Sequence, residues 1–331
     1  EGVSVRRNLQ EDKVIAAWTQ VGQACVCPII DYVDEHLRDF ILDSHKCLLP
    51  ESEWPEVTPR SKVHATDAEW YKIIKVGVAR NMFCEVPENQ IFRNQFGDLI
   101  LSGAMGVDKY KEVDGVLEYH LRFISILTPL NLNMRKICGD SWLLPQASLL
   151  NMMVLGEEEF VWVDGEDLQS CFNLFVLPEC WRGYCCFSKQ VSRSIFGGPA
   201  HEVCYVAIRG VPMGWINSVD LIQNFIRKFV FETCGVNPEF EVRGDRGIPV
   251  STAAVVCMDG FDLITRLKMF RDTLEAAQGH LAFSEDGKSR EMARFVTECR
   301  RRNLPLNIGK QVMQDFCAGI LGRNSTVLLV S

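Results

Sequence analysis

The stretch TAAVVCMDGFD, residues 252–262, is an apolar and β-branched run that leads into two aspartates, Asp259 and Asp262. Short runs of this composition, bounded by turn residues, predict strands. A carboxylate at the end of a strand sits on a rigid element and can face a ligand at the edge of a sheet. Taken singly, an acid after a strand is usually a turn former or a helix cap.

A second stretch repeats this design of a strand followed by acids. Residues 159–167 read EFVWVDGED and place Asp164, Glu166 and Asp167 just beyond an apolar run. Phosphoryl transfer with two metal ions needs carboxylates from separate elements at one point, because each ion must contact the transferring phosphate. Together the two stretches predict a sheet whose strand ends assemble a metal site.

Hydrophobic periodicity predicts helices around further strands. Val33, Leu37 and Ile41 share one helical face, and a second helical pattern runs from Trp70 to Val78. The mixture of elements predicts an α+β fold with a sheet backed by helices. Further predicted strands are LILSGAMGV, LRFISIL, GYCCF and VCYVAIR, and further predicted helices carry Leu221, Phe225 and Phe229, then Leu263, Leu267, Phe270 and Leu274, then Met292, Phe295 and Cys299.

Composition bounds the class of protein. The chain has 331 residues, 47% hydrophobic and 24% charged, so it can bury a core and is unlike a disordered chain. No run approaches the roughly 18 consecutive apolar residues of a membrane span, and the N-terminus lacks a secretory signal. The 14 cysteines show no paired CxxC elements, which favours reduced thiols over a zinc site. We expect an intracellular protein of the cytoplasm or nucleus, with no membrane partner.

The charge balance bears on nucleic-acid binding. A formal net charge of −8 argues against a protein that coats nucleic acid by bulk electrostatics. A polymerase can still concentrate its basic residues in one groove, and clusters occur at 227–228 and 300–302. For either cluster alone, a solvated helix face is the favoured interpretation.

The order of motifs over residues 99–323 resembles that of reverse transcriptases. The segment DLQSCFNLFVLP, residues 167–178, is similar to the family's first catalytic motif, where an aromatic residue follows an aspartate five places later. The resemblance implies that Asp167 binds metal and that Phe172 lies under the sugar of the incoming nucleotide. A ring there would clash with a 2′-hydroxyl and favour deoxynucleotides. The alternative for Phe172 is a core aromatic.

Two further motifs follow in the family's order. VPMGWINSVDLIQNF resembles the loop and helix that support the template and the new base pair, which implies nucleotide contacts for Met213 and Gly214. CMDGFD stands where the family has Tyr-x-Asp-Asp at a hairpin tip, and Asp259 matches the first aspartate. Gly260 replaces the second aspartate, so one expected carboxylate is missing. Asp262 is then a third candidate metal ligand.

Segments outside this core resemble phosphate-binding parts of the family. LRFISILTPLN is similar to the fingers segment in which an arginine, here Arg122, grips the triphosphate. Arginine suits this task because its planar fork donates hydrogen bonds in pairs. GVDKYKEVDG resembles the lysine-bearing fingers hairpin, which implies that Lys109 or Lys111 touches phosphate. LPLNIGK resembles the later palm motif whose lysine, here Lys310, can protonate the pyrophosphate leaving group, and solvated surface lysine is the alternative.

The resemblance implies a right-hand polymerase fold of the α+β class, with fingers and an antiparallel palm sheet backed by helices. We expect residues 1–98 to be an N-terminal helical extension or linker of unknown role, and residues 99–323 to be the fingers and palm. Residues 324–331 would begin a thumb or connection. ILG at 320–322 resembles the hairpin that grips the primer.

The implied function is RNA-directed DNA synthesis in a retrotransposon-type retroelement. Its partners would be an RNA or DNA template with a primer and deoxynucleoside triphosphates, and Asp167 and Asp259 would hold Mg²⁺ or Mn²⁺. We expect the chain to be part of a longer polyprotein. The first alternative is a catalytically decayed domain of this type that binds nucleic acid or protein. The second is another palm-bearing enzyme, an RNA polymerase or nucleotide cyclase.

Overall fold

The computed structural model describes residues 6–113, 116–150, 153, 155, 159–249, 251–268 and 288–315. Helices there are interspersed with sheets that are antiparallel in all but one pairing, which confirms the predicted α+β class. No helix in these ranges is both long and apolar enough to cross a membrane. The segments 320–322 and 324–331, assigned above to a primer grip and a thumb, lie outside the described residues.

Strands and α-helices are numbered in chain order. The strands are β1 (Arg6–Arg7), β2 (Cys27–Pro28), β3 (Phe83–Val86), β4 (Gly103–Val113), β5 (Val116–Ile126), β6 (Glu159–Asp167), β7 (Phe175–Val176), β8 (Val191–Ser192), β9 (Val203–Ile208), β10 (Thr252–Cys257), β11 (Gly260–Lys268) and β12 (Val312–Asp315). The helices are α1 (Glu11–Ile15), α2 (Glu35–Leu42), α3 (Asp67–Ala79), α4 (Thr128–Asn131), α5 (Ala147–Leu150), α6 (Ser218–Lys228) and α7 (Arg290–Arg301).

The chain folds into two compact units, each built from separate stretches of sequence. Unit 1 comprises Glu1–Cys138 and Phe172–Ser218, and unit 2 comprises Gly139–Cys171 and Val219–Ser331. Subdomains of one chain can be formed from discontinuous segments in this way.

Unit 1 contains two three-stranded antiparallel sheets, in the orders β1-β4-β5 and β3-β9-β8, and a short parallel pair, β2-β7. A cluster of aromatic rings fills its interior. Phe123 lies 6.0 Å from Trp18 and 5.8 Å from Phe187 between ring centroids, and Trp70 lies 5.3 Å from Phe187. Rings at these separations contribute both buried area and favourable edge contacts to stability.

The first 98 residues contain both predicted helices, although Val33 lies before α2, which begins at Glu35. Leu37 and Ile41 are buried on α2, and α3 begins at a Thr66 side chain that accepts a hydrogen bond from Glu69 N at 3.2 Å. The segment also supplies strands to unit 1, because β1 pairs with β4, β2 with β7 and β3 with β9. Residues 6–98 therefore contribute three strands to unit 1.

Unit 2 is built on a four-stranded antiparallel sheet in the order β10-β11-β6-β12. One face of this sheet carries an aliphatic cluster that includes Val163, Val255 and Ile264. On the other face Phe261 packs against Phe295 of α7 at 5.4 Å between centroids, and Phe295 in turn contacts Phe229, in the π-helical turn after α6. Each face thus buries alternate residues of the same strands.

Two predictions are wrong within the described residues. Leu263, assigned above to a helix, lies in β11, because that strand pairs on both sides and buries Phe261 and Leu263 in alternation. The later positions of that predicted helix, Phe270 and Leu274, lie outside the described residues. The partners that select the strand are distant in sequence and are not visible to local periodicity. GYCCF is not a regular strand, because a 3₁₀ helix, Glu179–Tyr184, occupies its first part.

Candidate active site

One row of the unit 2 sheet brings the two acidic stretches together. Cys257 of β10 pairs with Gly260 of β11, and Gly260 pairs with Asp167 of β6. Residues directly opposite one another in a sheet project to the same face. Asp262 lies two residues from Gly260 and opposite Gly165, so it shares this face.

The turn between β10 and β11 presents Asp259 beside the end of β6. Leu168 N donates to Asp259 O at 2.5 Å. Met258, the other turn residue, has a φ of 28°, in the region that non-glycine residues rarely adopt. The buried Gln223 side chain of α6 holds the turn, because it donates to Val256 O at 2.9 Å and accepts from Met258 N at 2.8 Å.

The pKa of the Cys257 thiol reflects the negative charge of this face. Burial is the main cause that raises its pKa to about 11, and the negative charges of Asp259, Asp262 and Asp167 raise it further. All three candidate ligands therefore lie close enough to one thiol to act on it. With this pKa the thiol is protonated at neutral pH in the absence of a metal ion.

Two other acids of β6 lie on the opposite face. Asp164 and Glu166 lie inside the strand, not beyond it as the sequence suggested, and both are 2% exposed. Glu166 binds Lys288 Nζ at 2.6 Å and Gln311 Nε2 at 2.8 Å, and Asp164 accepts from Ser289 N at 3.0 Å. These contacts hold the start of α7 against the sheet.

Lys310 lies on Asp167. Its Nζ is 2.6 Å from Asp167 Oδ2, and the side chains are 42% and 15% exposed, respectively. The chain that carries the lysine runs along the end of β6, since Asn307 N donates to Asp167 O at 2.7 Å and Gln169 N to Pro305 O at 2.8 Å. The structure therefore gives Lys310 a carboxylate partner in the candidate site, where the sequence suggested a phosphate.

The fit of the site to divalent cations follows from its donors. The described residues contain no group of three His, Cys, Asp or Glu side chains that could hold a metal ion. Mg²⁺ does not require such a cage, because it usually binds one or two carboxylates and completes its shell with water and substrate phosphates. Asp167 and Asp259 suit one such ion. Gly260 leaves the second ion of a two-metal site without its expected carboxylate.

In unit 1 the β4–β5 hairpin carries the predicted phosphate ligands. Lys109 pairs with His120 and Val107 with Arg122, so Lys109 and Arg122 share one face as diagonal neighbours. Arg122 is exposed and Lys109 is half-buried. Two cationic side chains on one face of a hairpin can contact a polyphosphate together.

The loop that holds Met213 and Gly214 is fixed by Asn131, the last residue of α4. Asn131 Nδ2 donates to Gly214 O at 2.9 Å, and its Oδ1 accepts from Ile216 N at 3.0 Å. Met213 is half-buried and Gly214 is exposed. Gly214 has a φ of +109°, and a Cβ added there would lie 2.5 Å from Ser125 O.

We expect Gly214→Ala to destabilise the protein by about 1 to 3 kcal/mol. The added Cβ strains the backbone at a positive φ, and it also clashes with Ser125 O, a backbone atom that cannot move aside as a flexible side chain would. Gly22→Ala is the matched control, because Gly22 has a φ of +81° but nothing within 4 Å of an added Cβ. Denaturant unfolding of both variants separates the clash from the strain. Equal losses for the two variants would contradict the close approach to Ser125.

Phe172 lies in a 3₁₀ helix, Cys171–Asn173, and is half-buried. Fully buried aromatics such as Phe175 and Phe187 form the core of unit 1. A partly accessible ring is compatible with contact to a ligand and also with a position at the edge of the core.

Sequence reasoning missed Gln223. The signal was present, because Gln223 and Asn224 interrupt the apolar pattern of α6 and both are buried, at 0% and 1% exposure. Buried amides require hydrogen-bond partners, so polar residues on an apolar helix face predict a fixed neighbour. The pairing of Lys310 with Asp167 had no local signal.

Comparison with known proteins finds similarity among solved structures only. No protein-family model matches the chain, and no curated protein matches it. Among solved structures it is similar to a foamy viral protease–reverse transcriptase in complex with double-stranded DNA, with a TM-score of 0.47 and 11% sequence identity. The match covers 93% of this chain and 48% of that chain, so this chain spans about half the length of the viral protein.

Proposed function

We propose that the chain is a reverse transcriptase domain that carries out template-directed DNA synthesis, with unit 2 as the palm of a right-hand polymerase fold. The observation that carries the proposal is the convergence of Asp167 and Asp259 at one end of an antiparallel sheet, with a 2.5 Å hydrogen bond between their neighbouring backbones. Helices against the other face make that sheet a rigid support.

The chain's own residues take the following roles under this proposal. Asp167 and Asp259 bind Mg²⁺ or Mn²⁺, and Asp262 adds negative charge on the same face. When bound, the ion neutralises charge on the transferring phosphate. Lys109 and Arg122 bind the triphosphate of a deoxynucleotide, and Met213 and Gly214 contact the base pair. Lys310, which pairs with Asp167, donates a proton to the leaving pyrophosphate under this proposal.

Primer extension tests the proposal. The protein is incubated with a labelled DNA primer on RNA and on DNA templates, with deoxynucleotides and either Mg²⁺ or Mn²⁺. Template-dependent extension that requires the metal supports the proposal. Absence of extension in both metals, with the primer–template bound, would establish the second candidate instead.

The second candidate is a domain of the same fold that binds nucleic acid without catalysis. Two observations favour it: Gly260 stands opposite Asp167 where a carboxylate is expected, and Lys310 already neutralises Asp167. Both lower the affinity of the site for a hard cation, because that affinity depends on the negative charge of the oxygen ligands.

Gly260→Asp is expected to strengthen Mn²⁺ binding by about fivefold, because a unit charge about 4 Å away contributes ~1 kcal/mol even at the dielectric constant of water. The substitution fits, since an added Cβ would lie 3.4 Å from Asp167 Oδ1, an ordinary contact. Gly244→Asp, at a position with nothing within 4 Å, controls for net charge. Calorimetric titration measures both, and equal effects would contradict the assigned register of the site.

A further inference from the structure

Two lysines neutralise neighbouring acids of β6 in different ways. Lys288 binds Glu166 with side chains that are 8% and 0% exposed, so this pair is sealed from water. Lys310 binds Asp167 at the same distance, 2.6 Å, but its side chain is 42% exposed. A sealed pair resists separation because either partner would be left as an uncompensated buried charge. The Lys310 ammonium can instead exchange Asp167 for water.

Asp167 needs a positive partner more than Lys310 does. Its side chain is only 15% exposed, and a carboxylate withdrawn from water is costly unless it is paired. Residues 305–307 run along the end of β6 through backbone hydrogen bonds, so the lysine is supplied locally and at high effective concentration. A divalent cation that binds Asp167 meets a carboxylate whose Oδ2 already has a counter-charge.

Gly260 makes Lys310 and a divalent cation compete more directly for Asp167. An aspartate there would add a carboxylate next to Asp167 Oδ1, which is 3.4 Å from the position of an added Cβ. Such a site could bind a cation while Lys310 stayed on Oδ2. With glycine at 260, Asp167 is the carboxylate that both the ammonium and the cation require.

We propose that Lys310 is a displaceable counter-cation, which neutralises Asp167 in the resting protein and competes with a divalent cation for it. The inference rests on the proposed function, because it takes Asp167 as a cation ligand. It gives Lys310 a role in the resting site, before any nucleotide binds. The lysine holds the affinity for cations low and offsets the charge of Asp167.

Mn²⁺ titration of the full chain without nucleotide tests the competition, with free Mn²⁺ measured by electron paramagnetic resonance. Lys310→Gln is expected to tighten Mn²⁺ binding about twofold to fivefold, the upper part of the range for losing one half-exposed ion pair. Lys310→Arg keeps the charge and should bind like the wild type. Lys189→Gln is the matched control, because Lys189 pairs with Asp67 at 2.6 Å in unit 1 and its loss changes the net charge equally. It should change the affinity less than about twofold.

The outcomes distinguish failure of the Lys310 competition from failure of the proposed function. If Lys310→Gln binds Mn²⁺ no more tightly than the wild type while Asp167→Asn weakens binding, Asp167 is a ligand and the competition is refuted. If Asp167→Asn and Asp259→Asn leave binding unchanged in every background, the proposed function fails as well. Circular dichroism melting of each variant shows whether it is folded. If Lys310→Gln does not fold, Lys310→Arg provides the test. Tighter Mn²⁺ binding by the arginine variant would then refute the competition, because arginine keeps the positive charge.

Discussion

Replacement of Asp259 by asparagine is expected to lower nucleotide incorporation by about a hundredfold to a thousandfold. The amide would keep the shape of the turn but remove the charge that binds the cation, and loss of one preorganised electrostatic group at a reacting centre typically has an effect of this size. The backbone contact from Leu168 N to Asp259 O does not involve the side chain and should survive. Single-turnover primer extension measures the rate.

Asp245→Asn is the control for this experiment. Asp245 also lies in unit 2, pairs with Arg243 at the surface and has a 44% exposed side chain. Its amide variant should incorporate nucleotides at the wild-type rate. If Asp259→Asn retains full activity with an unchanged melting temperature, the assignment of the active site to this edge of the sheet is wrong.

Phe172→Val is expected to relax selection against ribonucleotides by roughly 5- to 150-fold. If the ring packs under the incoming sugar, it fills the space of a 2′-hydroxyl, and overpacking of that kind typically costs ~1 to 3 kcal/mol. The ring is half-buried, so the smaller side chain should cost limited stability. Incorporation of single matched ribonucleotides and deoxynucleotides measures the ratio.

A purely structural role for Phe172 predicts the reverse pattern. Truncation of a core aromatic lowers the free energy of unfolding by several kcal/mol, about 3 to 5 for alanine, and leaves sugar selectivity unchanged. Phe175→Val is the matched comparison, because Phe175 is fully buried in the same unit. A wild-type protein that uses both sugars equally would remove the steric role and favour the RNA polymerase alternative.

The fold class and the strands at the site were predictable from the sequence because they depend on local patterns. The apolar runs before Asp167 and Asp259 have the composition of strands, and β10 forms where its run predicts, while β6 continues past its run to Asp167. The helical faces of α2, α3 and α7 follow the 3.6-residue period. Hydrophobic periodicity detects these elements because the spacing of apolar residues within each segment matches the observed structure.

Other features depend on partners far away in sequence. Leu263 reads as helical by spacing, but β6 and β10 select a strand on either side of it. The face to which each acid points also requires the register: Asp167 and Glu166 are neighbours in the chain, yet one joins the candidate site and the other pairs with Lys288. A shift of one residue would exchange them, so spacing alone could not assign the ligands.

The pairing of β3 with β9 has a consequence for biosynthesis. Phe83 pairs with Ile208, 125 positions later (208 minus 83). At translation rates of about 5 to 20 residues per second, β3 waits roughly 6 to 25 seconds on the ribosome before its partner is made. During this interval its buried side chains, Phe83 and Val86, have no sheet to join, so the nascent chain exposes an apolar strand edge of the kind that favours aggregation. Slower elongation would lengthen that exposure.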